Sequence, residues 1–425
     1  MNTILHKISN FFTFRSIFLM TSVSTLIYFI CKTYLFYHYE SPIGDESSFL
    51  EANDFIEKNG LFYELCKGQI SPLFSIISTF LNYFINDMLL TFRLISVVST
   101  ILTLLLVYHF AKNKLNISGY YLQTIVVLCI SFFCFRIYWQ GINDAIFHLF
   151  IVICFYLLYD VDFKKNVFRN LIYIGIVFGL MISTRLMSFL VLPCFVFFFV
   201  NSYKKILIVG VTTSITALLF HFPSLINGNG LSDQNKDPKN GMTWVQLNYL
   251  SQKLIYENKL EKGYRVSWEE LAQYIKVNGK ESLPKNTLEL FTFSPKITIN
   301  SLVNNLIYSI QKVYFKFFGF GVFILFYVYY FYYKNRKSIA TATAFSFKFA
   351  NSFWFYTFMI SLIAFTQIEP RWYTSFIYFA ILISVHFFQN FNKISPETKI
   401  DILKINLIVL VFFQWRFMFK EIIFL

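Results

Sequence analysis

Apolar runs of about 17–23 residues recur along the chain, divided by short polar segments that hold most of the charges. A run of that length crosses the hydrocarbon of a bilayer as a helix, and a chain that repeats it must bury those runs in lipid and in each other. A soluble domain carries about 25% charged residues. Here charged residues are 14% of 425 and apolar residues 56%, with a mean hydropathy of +0.55, which excludes a soluble globular protein. Aromatic residues at 21% exclude a disordered chain. The runs do not alternate in polarity, so a membrane β-barrel is excluded as well. The expected fold class is an all-α polytopic membrane protein with eleven spans, at about 16–36, 89–111, 118–137, 144–159, 168–184, 186–201, 206–222, 307–333, 345–366, 373–389 and 403–420. Ser16–Phe36 is too long for a signal peptide and no small-residue cleavage site follows it, so it reads as a retained span.

One stretch decides the orientation. Ser71–Phe84 is apolar but short, and counting it as a span reverses everything after it. If it lies along the outer interface, fourteen basic residues fall in short cytoplasmic segments, among them Lys112, Lys114, Lys164, Lys165, Lys334, Arg336 and Lys337. Only Lys58, Lys67, Arg185 and Arg371 then fall in short outer segments. The positive-inside bias therefore places the N-terminus in the cytoplasm and Ser71–Phe84 as an outer juxtamembrane helix.

Two aqueous segments then face outward. The first, 38–70, holds seven acids against Lys58 and Lys67, a net charge of −5, and its Ser47–Asn59 stretch has one apolar face. The second follows His221-Phe222 and opens with INGNGLSDQNKDPKNG, a loop composition, before helical patches at 244–258 and 267–277. The expected organisation is an N-terminal membrane module at 1–222, an extracytoplasmic region at 223–305 and C-terminal spans at 306–425. The formal charge of +14 is scattered in topological clusters and gathers on no face that would bind nucleic acid. Of the six cysteines, only Cys66 lies in an evident loop, so there is no disulfide framework.

No nucleophile elbow, phosphate loop, dinucleotide fingerprint or HExxH zinc motif is present. Ionisable groups at outer span ends carry the chemical interest, because charge beside hydrocarbon is costly. Asp45-Glu46 follows the first span, and a partly desolvated carboxylate there can act as a general base; the plain alternative is a helix N-cap. Asn143-Asp144 opens the fourth span after Tyr138-Trp139-Gln140-Gly141, which supplies aromatic and amide groups; Asp144 can also be a plain cap. Arg185 lies between two apolar runs and can snorkel or grip a phosphate. Glu369-Pro370-Arg371-Trp372-Tyr373 sits between the ninth and tenth spans, where Glu369 and Arg371 can simply pair. In the chosen topology Asp45, Asp144, Arg185 and Arg371 reach one outer face. Two acids and two guanidiniums there suit a substrate with a phosphate at membrane depth and a scissile bond beside it.

The set resembles the polytopic GT-C glycosyltransferases, such as protein mannosyltransferases, aminoarabinose transferases and their bacterial relatives. Gly44-Asp45-Glu46 is similar to their acid after the first span. Ser71-Pro72-Leu73-Phe74 resembles a PPL helix start with Ser for the first Pro, and Arg93-Leu94-Ile95-Ser96 an Arg-Leu-Pro-Ser start with Ile for Pro. Asp144 matches the second acid, and Gly179–Pro193 a Gly-Leu-Thr-Lys-Leu-Pro segment with Arg185 for Lys. Arg371-Trp372-Tyr373 is similar to a late Arg-Tyr with Trp inserted. Some relatives have an acid where this chain has Gln69, so no role for that acid carries over.

The resemblance implies an inverting transfer of a sugar from a polyprenyl-phosphate donor to a glycan, lipid or protein acceptor, outside a bacterial cytoplasmic (inner) membrane. It implies Asp45 as base, Arg185, Arg371 and Arg93 on the donor phosphate, and Asp144 orienting acceptor or sugar. Glu46, Glu369, Tyr138, Gln69 and Tyr373 are the supporting candidates. The sequence requires no cofactor, and a divalent ion near Asp45 is compatible with it. Two other classes remain expected alternatives: a polysaccharide polymerase or ligase, and a lipid flippase or transporter, the last disfavoured because the charges sit at span ends and not at mid-membrane.

Overall fold

The computed structural model describes residues 13–38, 41–42, 44–133, 140–200, 202–232, 241–261, 264–286, 289–314, 321–334, 341–363, 370–391 and 394–423. Among them the secondary structure is helical, with no strand. Among the described residues four helices are long and apolar enough to cross a membrane: α5 (Met88–Asn113), α7 (Asp144–Asp162), α8 (Val167–Thr184) and α9 (Tyr203–Ile226). The others used below are α1 (Phe14–His38), α2 (Glu46–Asn59), α3 (Leu61–Lys67), α4 (Pro72–Ile85), α6 (Gly119–Phe133), α10 (Trp244–Tyr256), α11 (Trp268–Asn278), α12 (Pro295–Tyr308), α13 (Gly321–Lys334), α14 (Thr341–Ile363), α15 (Ile377–Gln389) and α16 (Pro396–Ile423).

The chain divides into two compact units. One takes 1–234, 314–352 and 375–425; the other takes 235–313 and 353–374. In the first, the core is aromatic. Phe155 on α7 lies against Phe195, Phe349, Phe376 and Phe379, with ring centroids 4.9–5.2 Å apart. Two polar residues on the buried face of α5 are satisfied within their own helix: the hydroxyls of Thr100 and Thr103 each donate to the carbonyl four residues back, at 2.8 Å. A helix in hydrocarbon needs that closure, since no water can supply it.

α8 and α9 meet along Gly175 and Gly179. A Cβ at Gly175 would come within 2.6 Å of Thr212 Cβ and 2.9 Å of the Val209 carbonyl, and one at Gly179 would collide with Thr216. Hydrogen at these two positions lets the backbones approach, as small residues four apart do in membrane helix pairs.

α4 is about 21 Å long, short of the hydrocarbon thickness. Leu73, Phe74, Ser75 and Ser78 are buried on one side, whereas Phe80, Tyr83 and Phe84 are 65%, 85% and 69% exposed. It stops at Asn86, which takes a left-handed φ of 59°, and Asp87 then caps α5 by accepting from the Leu90 N–H at 3.0 Å.

Two expected spans are built differently. Residues 186–201 are no continuous α-helix: a short turn at Ser188–Val191 passes into a 3₁₀ helix at Leu192–Phe198. Pro193 has no N–H for the carbonyl four residues back, which favours the tighter winding. The Ser352 hydroxyl then donates to the Cys194 carbonyl at 2.6 Å. Residues 307–333 are interrupted too: α12 ends at Tyr308, a π turn covers Ser309–Tyr314, and α13 begins at Gly321.

The second unit holds α10, α11 and α12 around Leu247, Leu250, Val266, Leu271, Leu283 and Leu290. Both α10 and α11 begin with a capping box, Thr243 with Gln246 and Ser267 with Glu270, which fixes where each starts. Trp244 and Trp268 meet edge to face at 4.9 Å. The Lys253 ammonium donates to the Tyr274 hydroxyl at 2.9 Å, and that bond raises the Lys253 pKa above its ordinary value.

A candidate active site at one end of the first unit

α2 begins at Glu46, and three residues later Phe49 enters an aromatic cluster. Its ring lies 5.0 Å from Phe74 on α4 and 6.1 Å from Phe92 on α5, and Phe74 stacks on Phe92 at 5.4 Å. Burying each phenyl group contributes about 1.5–3 kcal/mol, so α2 is pinned onto α4 and α5.

That placement puts Glu46 beside Arg93. The Arg93 Nε donates to Glu46 Oε1 at 3.1 Å and Nη2 to Oε2 at 3.0 Å, a two-pronged pair in which the Glu46 side chain is fully buried. Nη2 also donates to the Ser41 carbonyl at 3.3 Å. Glu46 Oε1 accepts a third bond, from the Gly141 N–H at 2.6 Å. Gly141 makes this approach because a Cβ there would lie 2.5 Å from Phe92 Cβ. Ser96, one helical turn after Arg93, donates to the carbonyls of Gln140 and Ile142 at 2.7 and 3.1 Å. The two polar residues of Arg93-Leu94-Ile95-Ser96 thus share a face, and loop 140–142 is held by Ser96 directly and by Arg93 through Glu46.

Asp45 occupies the cap position of α2 in helical geometry and is half-buried, and its side chain accepts no bond from the first turn. Ser47 donates to the Gly44 carbonyl at 2.9 Å. Neither residue therefore caps α2 by its side chain. Two residues after the gripped loop, α7 starts at Asp144. Arg185, the extended residue that follows α8, donates through Nη1 to Asp144 Oδ1. The Asp144 side chain is 4% exposed and that of Arg185 19%. Asp144 gains from its place at the first residue of α7, where the helix dipole favours an anion.

The structure thus brings Asp45, Glu46, Arg93, Asp144 and Arg185 to one end of the first unit. Gln69 is exposed in the turn between α3 and α4. Tyr373 belongs to the second unit, where its hydroxyl meets that of Ser361 at 3.0 Å. Tyr138, Glu369 and the Arg371 side chain lie outside the described residues. Sequence reasoning named Asn143 beside Asp144, Gly141 in the preceding loop and Ser71 in a helix-start motif, but assigned none of them the contacts by which it builds the site. The tetrad Gln140-Gly141-Ile142-Asn143 before a span start was the available signal for two of them. Among the described residues no three His, Cys, Asp or Glu side chains gather as a metal-ligand set, and Glu46, the acid next to Asp45, is already bonded to Arg93 and Gly141.

No curated protein matches the chain. Residues 70–226, which supply Arg93, Gly141, Asp144 and Arg185, are similar to the family described as dolichyl-phosphate-mannose-protein mannosyltransferase.

Proposed function

We infer that the protein is a membrane glycosyltransferase that takes its sugar from a polyprenyl-phosphate donor, with the described end of the first unit as its reaction centre. The observation that carries the reading is the presence of Asp45 and of the Asp144–Arg185 pair at one end of the first unit, joined through the contact of Glu46 with Gly141. Glu46 and Arg93 hold the start of α2, and the adjoining half-buried Asp45 is assigned to meet an acceptor hydroxyl. We therefore assign Arg93 to holding Glu46, and Arg185 to the donor phosphate.

The chemistry follows from charge. As the glycosidic bond lengthens, negative charge builds on the phosphate oxygen that leaves with the lipid. A guanidinium already aimed there stabilises that charge most in the transition state. Arg185 swings from Asp144 to the phosphate or bridges both, while Asp45 takes the acceptor proton and the oxygen attacks the far side of the anomeric carbon. Inversion follows from that in-line attack. The bias of basic residues toward the opposite end supports an outward-facing site in a bacterial cytoplasmic membrane.

The test is turnover of purified protein in lipid with a panel of polyprenyl-phosphate sugars, read by mass spectrometry of lipid and acceptor. Wild type should release the polyprenyl phosphate, and Asp45→Asn should slow transfer about 10²–10⁴-fold at unchanged expression. Full activity in Asp45→Asn would remove Asp45 from the mechanism.

A further inference from the structure

The end of α8 is finished in an unusual way. A helix leaves its last four carbonyls without intrahelical partners, and many helices satisfy them with a left-handed residue that folds the chain back. α8 has no such residue. Arg185 follows in an extended conformation, with φ −161° and ψ 127°. The Thr184 carbonyl instead accepts two side-chain bonds from two other places in the fold. The Ser71 hydroxyl, at the start of α4, donates at 2.7 Å, and the Asn143 amide, just before Asp144, donates at 2.7 Å. Ser71 is 2% exposed, Asn143 7% and Thr184 1%, so water does not share the task. On the far side of Arg185, the Ser188 hydroxyl closes onto the Arg185 carbonyl at 2.6 Å.

We propose that Ser71 and Asn143 are positioning residues that set Arg185 against Asp144 by holding the carbonyl immediately before it. The inference rests on the donor-phosphate reading of Arg185 for its kinetic consequence, though not for its geometry. Asn143 adjoins Asp144, so its bond to Thr184 fixes the spacing between the acid's helix and the arginine's backbone. Ser71 ties the same carbonyl to α4, whose next residues carry Phe74 into the cluster that pins α2. One oxygen thus links the end of α8 to the starts of α4 and α7, and through Phe74 and Phe49 to α2, which Asp45 precedes. Proline, the residue of the PPL pattern at this place, has no side-chain donor, so the serine gives this chain a bond that the pattern lacks.

The test uses the full chain in lipid nanodiscs. Ser71→Val and Ser71→Thr have nearly the same shape and differ in a methyl or a hydroxyl. Ser71→Val and Asn143→Leu should each lower kcat about 10–100-fold with the donor KM within about threefold, because a small misplacement costs rate and leaves ground-state binding intact. Ser71→Thr should return kcat to within about threefold of wild type. All three should melt within a few degrees of wild type. Equal turnover of Ser71→Thr and Ser71→Val overturns the proposal. A second readout needs no reaction: in Asp144→Cys/Arg185→Cys protein, a short bifunctional thiol crosslinker should join the two positions, followed by peptide mass spectrometry. Adding Ser71→Val should slow that joining about tenfold, since a short linker tolerates only a small change in spacing. Unchanged joining also overturns the proposal. If wild type turns over no polyprenyl-phosphate sugar and Ser71→Val still slows joining, the donor reading falls and the positioning role stands.

Discussion

At its first residue α7 carries Asp144, paired with Arg185; at its other end it carries Asp160 and Asp162, paired with Lys114 at 2.5 Å and Lys348 at 2.7 Å. The partners differ in kind. A guanidinium is a planar fork that can serve two anions at once, whereas an ammonium is a point charge on a flexible stem. The helix dipole differs too: it favours Asp144 and opposes Asp160 and Asp162, by about 0.3–1 kcal/mol each where solvent reaches them. The lysines at the far end are therefore needed to neutralise acids in an unfavourable place. Arg185 faces an acid that its helix already stabilises. The far end is built for closure: Tyr159 donates to the Lys114 carbonyl at 2.9 Å, and Lys348 reaches both Asp162 oxygens.

The sharpest way to break this contrast is through the pair that holds α2. Arg93→Ala leaves a fully buried Glu46 carboxylate without its partner, a loss of about 3–5 kcal/mol. Thermal unfolding in nanodiscs should show a clear drop in Tm, and Arg93→Lys should recover only part of it because the fork is lost. An unaltered Tm in Arg93→Ala would mean that the buried pair does not hold the site. Next in size is Arg185→Ala, expected to cost about 10²–10³ in kcat with Tm nearly unchanged. The matched control at the far end, Lys348→Met, should do the reverse: Tm falls by the equivalent of about 1–2 kcal/mol while turnover stays within about threefold. If both substitutions act on the same quantity, the two ends are not specialised.

The smallest effect lies in the second unit. Tyr274→Phe removes the hydroxyl that holds Lys253 in its charged form, a bond worth about 1 kcal/mol or less. Because the folded Lys253 pKa is raised, this stabilisation is complete below the ordinary lysine value and fades as pH rises through the folded one. Melting curves of wild type and Tyr274→Phe should therefore differ at pH 8 and converge above about pH 10.5, near and beyond the ordinary value.

Hydropathy made α5, α7, α8 and α9 legible, because each is a long apolar run bounded by charge. It also made legible which end of the bundle holds Asp45, Asp144 and Arg185, since helix order alone alternates the ends. The winding of 186–201 was hidden: an apolar sum does not register that Pro193 lacks a donor until the backbone bonds are traced. Partner choice was hidden as well. Arg93 could face a phosphate or Glu46 with equal charge logic, and only the packing of Phe49 between Phe74 and Phe92 selects Glu46. The role of Gly141 was invisible because it is the absence of a side chain against Phe92.

The glycine seam between α8 and α9 also bears on biogenesis. Its contacts are complete once residue 226 has entered the bilayer, because Gly175, Gly179, Thr212 and Thr216 all precede that point. The two helices can therefore pair as a hairpin while later spans are still being made, and the end of α8 that carries Arg185 is oriented before the C-terminal helices arrive. A nascent chain stalled far enough past Ile226 for α9 to have left the ribosome should already crosslink between cysteines placed on α8 and α9 beside the glycine seam. Absence of that crosslink in the stalled chain, with its presence in the full one, would show that the hairpin waits for the rest of the bundle.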